Sequence, residues 1–130
     1  MREELWPDGT STHAAEVRQF FDAPSANANA VLVAECDNAV VGFAELSLRA
    51  YAEGCDTSPV AYLEGWFVSP DARTAGVGRA LLAAAEEWGR SQGCREFASD
   101  TEADNQPSTD AHLACGFTEV GLVRCFRKTL

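Results

Sequence analysis

The segment Arg73-Thr74-Ala75-Gly76-Val77-Gly78-Arg79 has the residue types needed to hold a phosphate. It stands between a strand-prone apolar stretch, Leu63 to Val68, and a strong helix-forming run, Arg79 to Glu86. Pro70 cannot continue a strand ladder, so the chain turns there. A glycine-rich turn that opens a helix aims successive backbone N–H groups at one point, and the helix dipole adds positive potential. Gly76 and Gly78 let the backbone approach a pyrophosphate closely and take φ > 0 where the turn needs it. Arg73 and Arg79 add mobile positive charge beside the loop. No Gly-Lys-Ser/Thr follows, which excludes a P-loop, and the three-glycine Rossmann spacing is absent. The plain alternative is an ordinary glycine-containing turn between a strand and a helix.

Two carboxylates lie near this segment in the chain. Glu64 is the only one in the central strand, and a partly buried carboxylate there could accept a proton directly or through a water. Its alternative is a strand residue facing solvent. Asp100 ends a second strand, at the carboxyl edge where α/β proteins usually bind ligands.

The elements that position these residues follow from punctuation and periodicity. Thr10 to Phe21 reads as an amphipathic helix with Thr10, Ser11 or Thr12 as cap. Pro24 to Asn29 is a loop. Ala30 to Glu35 is a strand, Asp37-Asn38 a turn, and Val40 to Leu48 an antiparallel partner strand. A polar loop runs from Arg49 to Pro59, and the central strand from Val60 to Val68. The helix after the glycine loop spans Val77 to Ser91, with Gly93 as its stop. Cys94 to Asp100 then forms a strand parallel to the central one, since a helix separates the two. An acidic loop, a short helix from Pro107 to Ala114 with Pro107 or Ser108 near its start, and a last strand within Val120 to Lys128 complete the chain.

The 130 residues suit one domain, 1–130, with one core. No apolar run approaches membrane-spanning length, and the first residues, MREELWPD, show no signal-peptide h-region. Five cysteines, odd in number and without a CxxC pair, argue against a disulfide framework and against zinc. A reducing, cytoplasmic setting is the simplest reading. Twenty acidic residues against ten basic give a formal net charge of −10. This disfavours nucleic acids and anionic membranes, which need a basic face, and it suits cationic partners. Solubility alone would also account for it.

The spacing Arg73-x-x-Gly76-x-Gly78 between a strand and a helix resembles the acetyl-coenzyme A pyrophosphate loop of the GNAT superfamily of N-acetyltransferases. The order β-β-β-α-β-α-β is the arrangement of that superfamily as well. Asn105, His112 and Gly116-Phe117 stand at the spacing where its members line the cofactor thiol with an Asn, usually a Tyr, and a Gly-Phe. The resemblance implies an α/β GNAT fold, a mixed central sheet flanked by helices. It also implies acetyl-coenzyme A as co-substrate, with no metal. Trp66, Phe67 and Val68 would then pair through their backbone with the pantetheine arm and polarise the thioester carbonyl. Thr74, Ala75 and Val77 would join Arg73, Gly76, Gly78 and Arg79 around the pyrophosphate. His112 stands where many members carry the Tyr that protonates the leaving thiolate. Three roles are open to it: the acid itself, a hydrogen-bonding neighbour of the thiol, or a structural histidine.

A closer resemblance covers nearly the whole chain. Leu5-Trp6-Pro7-Asp8, Gly54-x-x-x-Ser58-Pro59-Val60, Leu63-Glu64-Gly65, Ala98-Ser99-Asp100, Asp104-Asn105 and Phe126-Arg127-Lys128 are similar to the bacterial aminoglycoside 6'-N-acetyltransferases, which confer antibiotic resistance. Members carry a further N-terminal strand ahead of the Leu-Trp-Pro-Asp motif, so this chain is expected to lack the usual first strand and to expose the strand near Val31 as an edge. The resemblance implies acetyl transfer to the 6'-amino group of aminoglycosides and a homodimer. It implies Glu64 and Asp100 as contacts of the substrate amines, Tyr51 and Asp56 from the loop over the site, and Trp6 as an apolar floor for sugar rings. A core plug is the other role open to Trp6. Aminoglycosides are polycations, so their site needs several carboxylates, and the attacking amine must first lose a proton. Acetylation of another amine (a polyamine, an arylalkylamine or a protein N-terminus) and non-catalytic acyl-coenzyme A binding are the competing functions.

Overall fold

The computed structural model describes residues 1–5 and 29–130. Trp6, the expected helix from Thr10 to Phe21 and most of the loop after it lie outside these residues. The chain divides into two compact units, Met1–Asp100 and Thr101–Leu130.

The first unit begins with a single helical turn, α1 (Arg2–Leu5), which touches the central strand. Its Arg2 makes an ion pair with Glu45. A hairpin joins β1 (Ala30–Cys36) to β2 (Ala39–Arg49). Asp37 and Asn38 form its two-residue turn, with φ of 51° and 62°. Both are left-handed, which Asp and Asn tolerate and which matches the twist of the flanking strands. β3 (Val60–Val68) pairs antiparallel with β2, and β4 (Phe97–Ser99) pairs parallel with β3. The sheet order is β1-β2-β3-β4, with β1 outermost among the described residues.

The helix α2 (Val77–Ser91) connects β3 to β4 and covers one face of the sheet. It sits very close. A Cβ at Gly89 would stand 2.8 Å from the Ala61 side chain, and one at Gly42 would stand 3.2 Å from Leu81. Buried Leu81, Leu82 and Ala85 supply the helix side of this core. Leu46 and Val60 are fully buried in the sheet, and each such side chain contributes about 1.5–3 kcal/mol through removal from water. Beyond Gly93, at φ 81°, the chain leaves the helix, as its position predicts. The other sheet face carries a smaller apolar cluster of Ala52, Val60 and Tyr62, with Cys55 and Ala98 against it. Here the 50–59 loop folds back over the strands.

β3 has one irregularity that organises the rest. Leu46 pairs with Leu63 and Glu45 pairs with Gly65, so Glu64 has no partner in the β2 ladder. This is a β-bulge, which leaves its extra residue outside the pairing and changes which way the following side chains point. Before it, Ala61 faces α2. After it, Trp66 does, lying 2.8 Å from where a Gly78 Cβ would be.

In the second unit, α3 (Gln106–Ala114) is capped by Asn105, whose side-chain oxygen accepts from the Ser108 N–H at 3.2 Å. The helix thus starts earlier than expected, with Pro107 in its first turn. Two further expectations are corrected. The strand expected over Cys94 to Asp100 contracts to Phe97–Ser99. The last strand, expected within Val120 to Lys128, does not form. That segment is apolar and β-prone, but strand propensity largely reports packing against neighbours, and no strand of the described sheet pairs with it. Its side chains stand in water instead, with Leu122 77% and Phe126 92% exposed.

Candidate active site

β3 and β4 pair only from Ala61 to Leu63 on β3. The next residue, Glu64, sits at the bulge, and from Glu64 to Val68 no strand among the described residues lies on the β4 side. The sheet therefore opens beside the backbone of Trp66, Phe67 and Val68, and Glu64 stands where it opens. The bulge also explains how a charged residue follows four buried ones, Val60 to Leu63, without itself being buried.

Around Glu64 the structure builds a polar chain that crosses two strands. Ser47 lies opposite Tyr62 in the ladder, so the period of two puts Ser47 and Arg49 on the same sheet face as Tyr62. The Glu64 carboxylate accepts from the Ser47 hydroxyl and from Arg49 Nε (2.9 Å) at Oε1, and from Arg49 Nη2 (2.6 Å) at Oε2. The Arg49 guanidinium also lies over the Tyr62 ring, 3.4 Å from its centre. The Tyr62 hydroxyl donates in turn to Asp100 Oδ1 at 2.8 Å. Glu64 and Asp100 are thus joined through Arg49 and Tyr62. Burial pushes the Glu64 carboxyl up, but the hydrogen bonds from Arg49 and Ser47 and the Arg49 charge together outweigh it and hold the group below its ordinary value. Glu64 is therefore ionised at neutral pH. Its hydrogen bond to Glu64 raises Arg49 further above its usual value, and burial with the Asp100 bond raises the Tyr62 hydroxyl strongly.

The other expected substrate contacts are on the 50–59 loop. The Tyr51 hydroxyl donates to Glu53 at 3.0 Å, and Tyr51 is largely exposed. The backbone N–H groups of Asp56 (2.9 Å) and Thr57 (2.7 Å) both bond Glu96 Oε1, which fastens the loop to the chain just before β4.

At the start of α2, Gly76 has φ 78° and ψ 6° and caps the helix without a side chain. The Ala80 N–H bonds the Gly76 carbonyl at 3.0 Å, the first bond of the helix. A helix start leaves its first N–H groups without partners inside the helix. No atom would lie within 4 Å of a Cβ at Gly76, so the turn is open on that side, whereas Gly78 is pressed onto Trp66. These features fit a pyrophosphate. Thr74 and Ala75 are exposed there with Arg79, and Val77 is half-buried. Arg73 is less mobile than its sequence position suggests. Its Nε donates to the Val68 carbonyl at 2.9 Å, and its guanidinium lies 6.0 Å from the Phe67 ring centre. Its charge is thereby fixed at the end of β3.

Asn105 and His112 lie in the second unit. Asn105 spends its side-chain oxygen on the α3 cap, leaving its NH₂ as the group it can offer elsewhere. His112 Nδ1 lies 2.7 Å from the Ser108 carbonyl, so that nitrogen carries a proton and donates it there. The ring meets Phe117 edge-on at 5.1 Å. Among the described residues, no three His, Cys, Asp or Glu side chains gather as a metal site would require. No helix there is long and apolar enough to cross a membrane.

The sequence profile of the acetyltransferase (GNAT) family matches residues 1–117. A Klebsiella aerogenes protein named aminoglycoside N(6')-acetyltransferase type 1 is 58% identical, across 100% of this chain and 87% of its own. A Stenotrophomonas maltophilia protein of the same name is 44% identical, across 100% of this chain and 84% of its own. This chain belongs to the acetyltransferase (GNAT) family, among the aminoglycoside N(6')-acetyltransferases. Among solved structures, aminoglycoside acetyltransferase AAC(6')-Iy in complex with a bisubstrate analog, CoA-S-monomethyl-acetylneamine, superposes with a TM-score of 0.91. It is 40% identical, with 100% of this chain and 88% of that chain covered.

Four side chains of the site were not singled out from sequence: Ser47, Arg49, Tyr62 and Glu96. Their roles depend on the β2–β3 register and on contacts up to 40 residues apart in the chain. The one local signal was Gly65, since an isolated glycine inside a strand marks a bulge or a close approach.

Proposed function

We propose that this protein transfers the acetyl group of acetyl-coenzyme A to the 6'-amino group of aminoglycosides, and so confers resistance to them. The observation that carries this reading is the opening of the sheet at Leu63, with an ionised Glu64 at the opening and the Gly76 helix start just beyond β3. The names of the relatives and the bisubstrate complex of AAC(6')-Iy support it.

Acetyl-coenzyme A supplies the activated acyl group. Residues Arg73 to Arg79 bind its pyrophosphate, and backbone groups of Trp66, Phe67 and Val68 orient its thioester. Glu64 draws in the 6'-ammonium and takes its proton, through a water where the amine does not reach it. Its pKa is low, so it acts by position rather than basicity. The neutral amine then attacks the thioester carbonyl directly, the C–N bond forms and the C–S bond breaks. His112 delivers a proton from Nε2 to the departing thiolate, and Asn105 offers its NH₂ to the same sulfur. Asp100, Tyr51, Asp56 and Trp6 hold the remaining ammonium groups and sugar rings. Residues 1–130 act as one acetyltransferase domain, since the family match runs across the boundary at Asp100. The protein works in the cytoplasm as a homodimer. Exposed Leu122, Val123 and Phe126 support the dimer, because burial of such side chains drives association. A single-chain mass by light scattering would remove that part.

The deciding experiment is release of the coenzyme A thiol on addition of a panel of amines. Rapid release with kanamycin-type aminoglycosides is expected, together with a raised inhibitory concentration in a susceptible host. Faster release with a polyamine, an arylalkylamine or a peptide N-terminus would give the protein another acceptor. Cofactor binding without release to any amine would make it a binding protein.

A further inference from the structure

An anionic carboxylate beside an aromatic face is a cation-binding arrangement. Glu64 and Tyr62 make one here, and a side chain of the protein already fills it. The Arg49 guanidinium bonds both Glu64 oxygens, at 2.9 and 2.6 Å, and lies 3.4 Å from the centre of the Tyr62 ring. We propose that Arg49 is the site's resident cation, held between Glu64 and Tyr62 in the place an ammonium of the acceptor must take, so that substrate binding exchanges one cation for another. This rests on the reading that Glu64 meets the acceptor amine.

The geometry makes such an exchange possible. Ser47 and Arg49 Nε already use the two acceptor positions of Oε1, and Arg49 Nη2 uses one of the two on Oε2. One position remains for an arriving ammonium to begin the exchange. The pair is part-exposed, with 42% of the Arg49 and 34% of the Glu64 side chain accessible. Ion pairs in such settings are weak, so displacing the guanidinium is not prohibitive. The guanidinium can leave both Glu64 and the ring face while Tyr62 stays in place, because Tyr62 is fixed separately by its bond to Asp100.

The exchange sets a cost on every acceptor. A simple and a polyvalent amine must displace the same guanidinium, so the cost is common to both, and a polycation recovers part of it through a second ammonium near Asp100. Arg49 thereby lowers the absolute affinity for both. A resident competitor raises an apparent dissociation constant by the inverse of the vacant fraction. For a pair of this exposure that factor is about two to five.

The test is calorimetric titration of the full chain, loaded with coenzyme A, with a kanamycin-type aminoglycoside and with a simple alkyl monoamine. Arg49→Gln should bind the aminoglycoside about two to five times more tightly, and the monoamine should gain by the same factor. Arg49→Lys, which keeps the charge but not the fork, should fall between. In a Glu64→Gln background the gain from Arg49→Gln should vanish. Weaker or unchanged aminoglycoside binding in Arg49→Gln overturns the proposal and makes Arg49 a support for Glu64. A gain that persists undiminished in Glu64→Gln also overturns it, since removal of bulk positive charge then explains everything. Glu64→Gln with unaltered binding and turnover is a different failure, because it removes Glu64 from the acceptor site altogether.

Discussion

Glu64 is held by three hydrogen bonds from two side chains of the neighbouring strand. Replacement by Gln keeps the shape and removes the charge. Turnover should fall roughly 10²-fold or more, the scale of a positioned proton acceptor, with acetyl-coenzyme A affinity nearly unchanged by calorimetry. Near-normal kcat with a raised KM would mean that Glu64 only binds the cation. The same residue links stability to pH. Its folded value is depressed below the ordinary 4.5, so the stability it contributes is fully present above that value and is lost as pH falls through the folded value. Urea unfolding should therefore show a constant gap between wild type and Glu64→Gln at neutral pH, closing in acid below about pH 4.5. A gap that widens in acid would contradict the assigned direction.

The start of α2 separates two reasons for a glycine. Gly76 is needed for its backbone, at φ 78° in open space, and Gly78 for its lack of a side chain against Trp66. Gly76→Ala should cost about 1–2 kcal/mol, the penalty of a left-handed alanine, whereas Gly76→Asn should cost less because Asn tolerates that region. Gly78→Ala should displace Trp66 and weaken acetyl-coenzyme A binding. Equal melting temperatures for the two Gly76 variants would refute the conformational account. Much of this level was legible in the sequence. The Asp37-Asn38 turn, β3 from Val60 to Val68 and α2 from Val77 to Ser91 stand where punctuation and periodicity put them. Such signals are local, carried by glycines, a proline and helix formers within a few residues. The β3 bulge and the partnership of Arg49 with Glu64 were not legible, because each depends on which residue of β2 faces which residue of β3. The expected last strand failed for a related reason. Residues 120–128 have strand composition, but composition cannot supply a neighbour.

For the whole molecule, the formal charge of −10 acts at a distance. Polycationic acceptors should be drawn in by the summed field and held by several carboxylates, so the aminoglycoside KM should rise with ionic strength. Steady-state kinetics between low and moderate salt measure this directly. A flat profile would indicate a neutral or apolar acceptor. The first unit carries the sheet opening, the Arg73 to Arg79 turn, Glu64 and Asp100, whereas Asn105 and His112 lie in the second. Changes in Thr101 to Leu130 should therefore alter turnover more than acetyl-coenzyme A pyrophosphate binding.

The bulge at Glu64 also bears on how this protein can evolve. It acts as a frame shift within the strand, since side chains before and after it follow opposite alternations and both halves end up matched to α2. Deleting Glu64 would restore a regular ladder with the Ala61 half and the Trp66 half both still turned to α2. Substituting it disturbs no ladder pair. Packing therefore places no constraint on residue 64, and lineages that keep this chemistry should hold a carboxylate there for its charge alone.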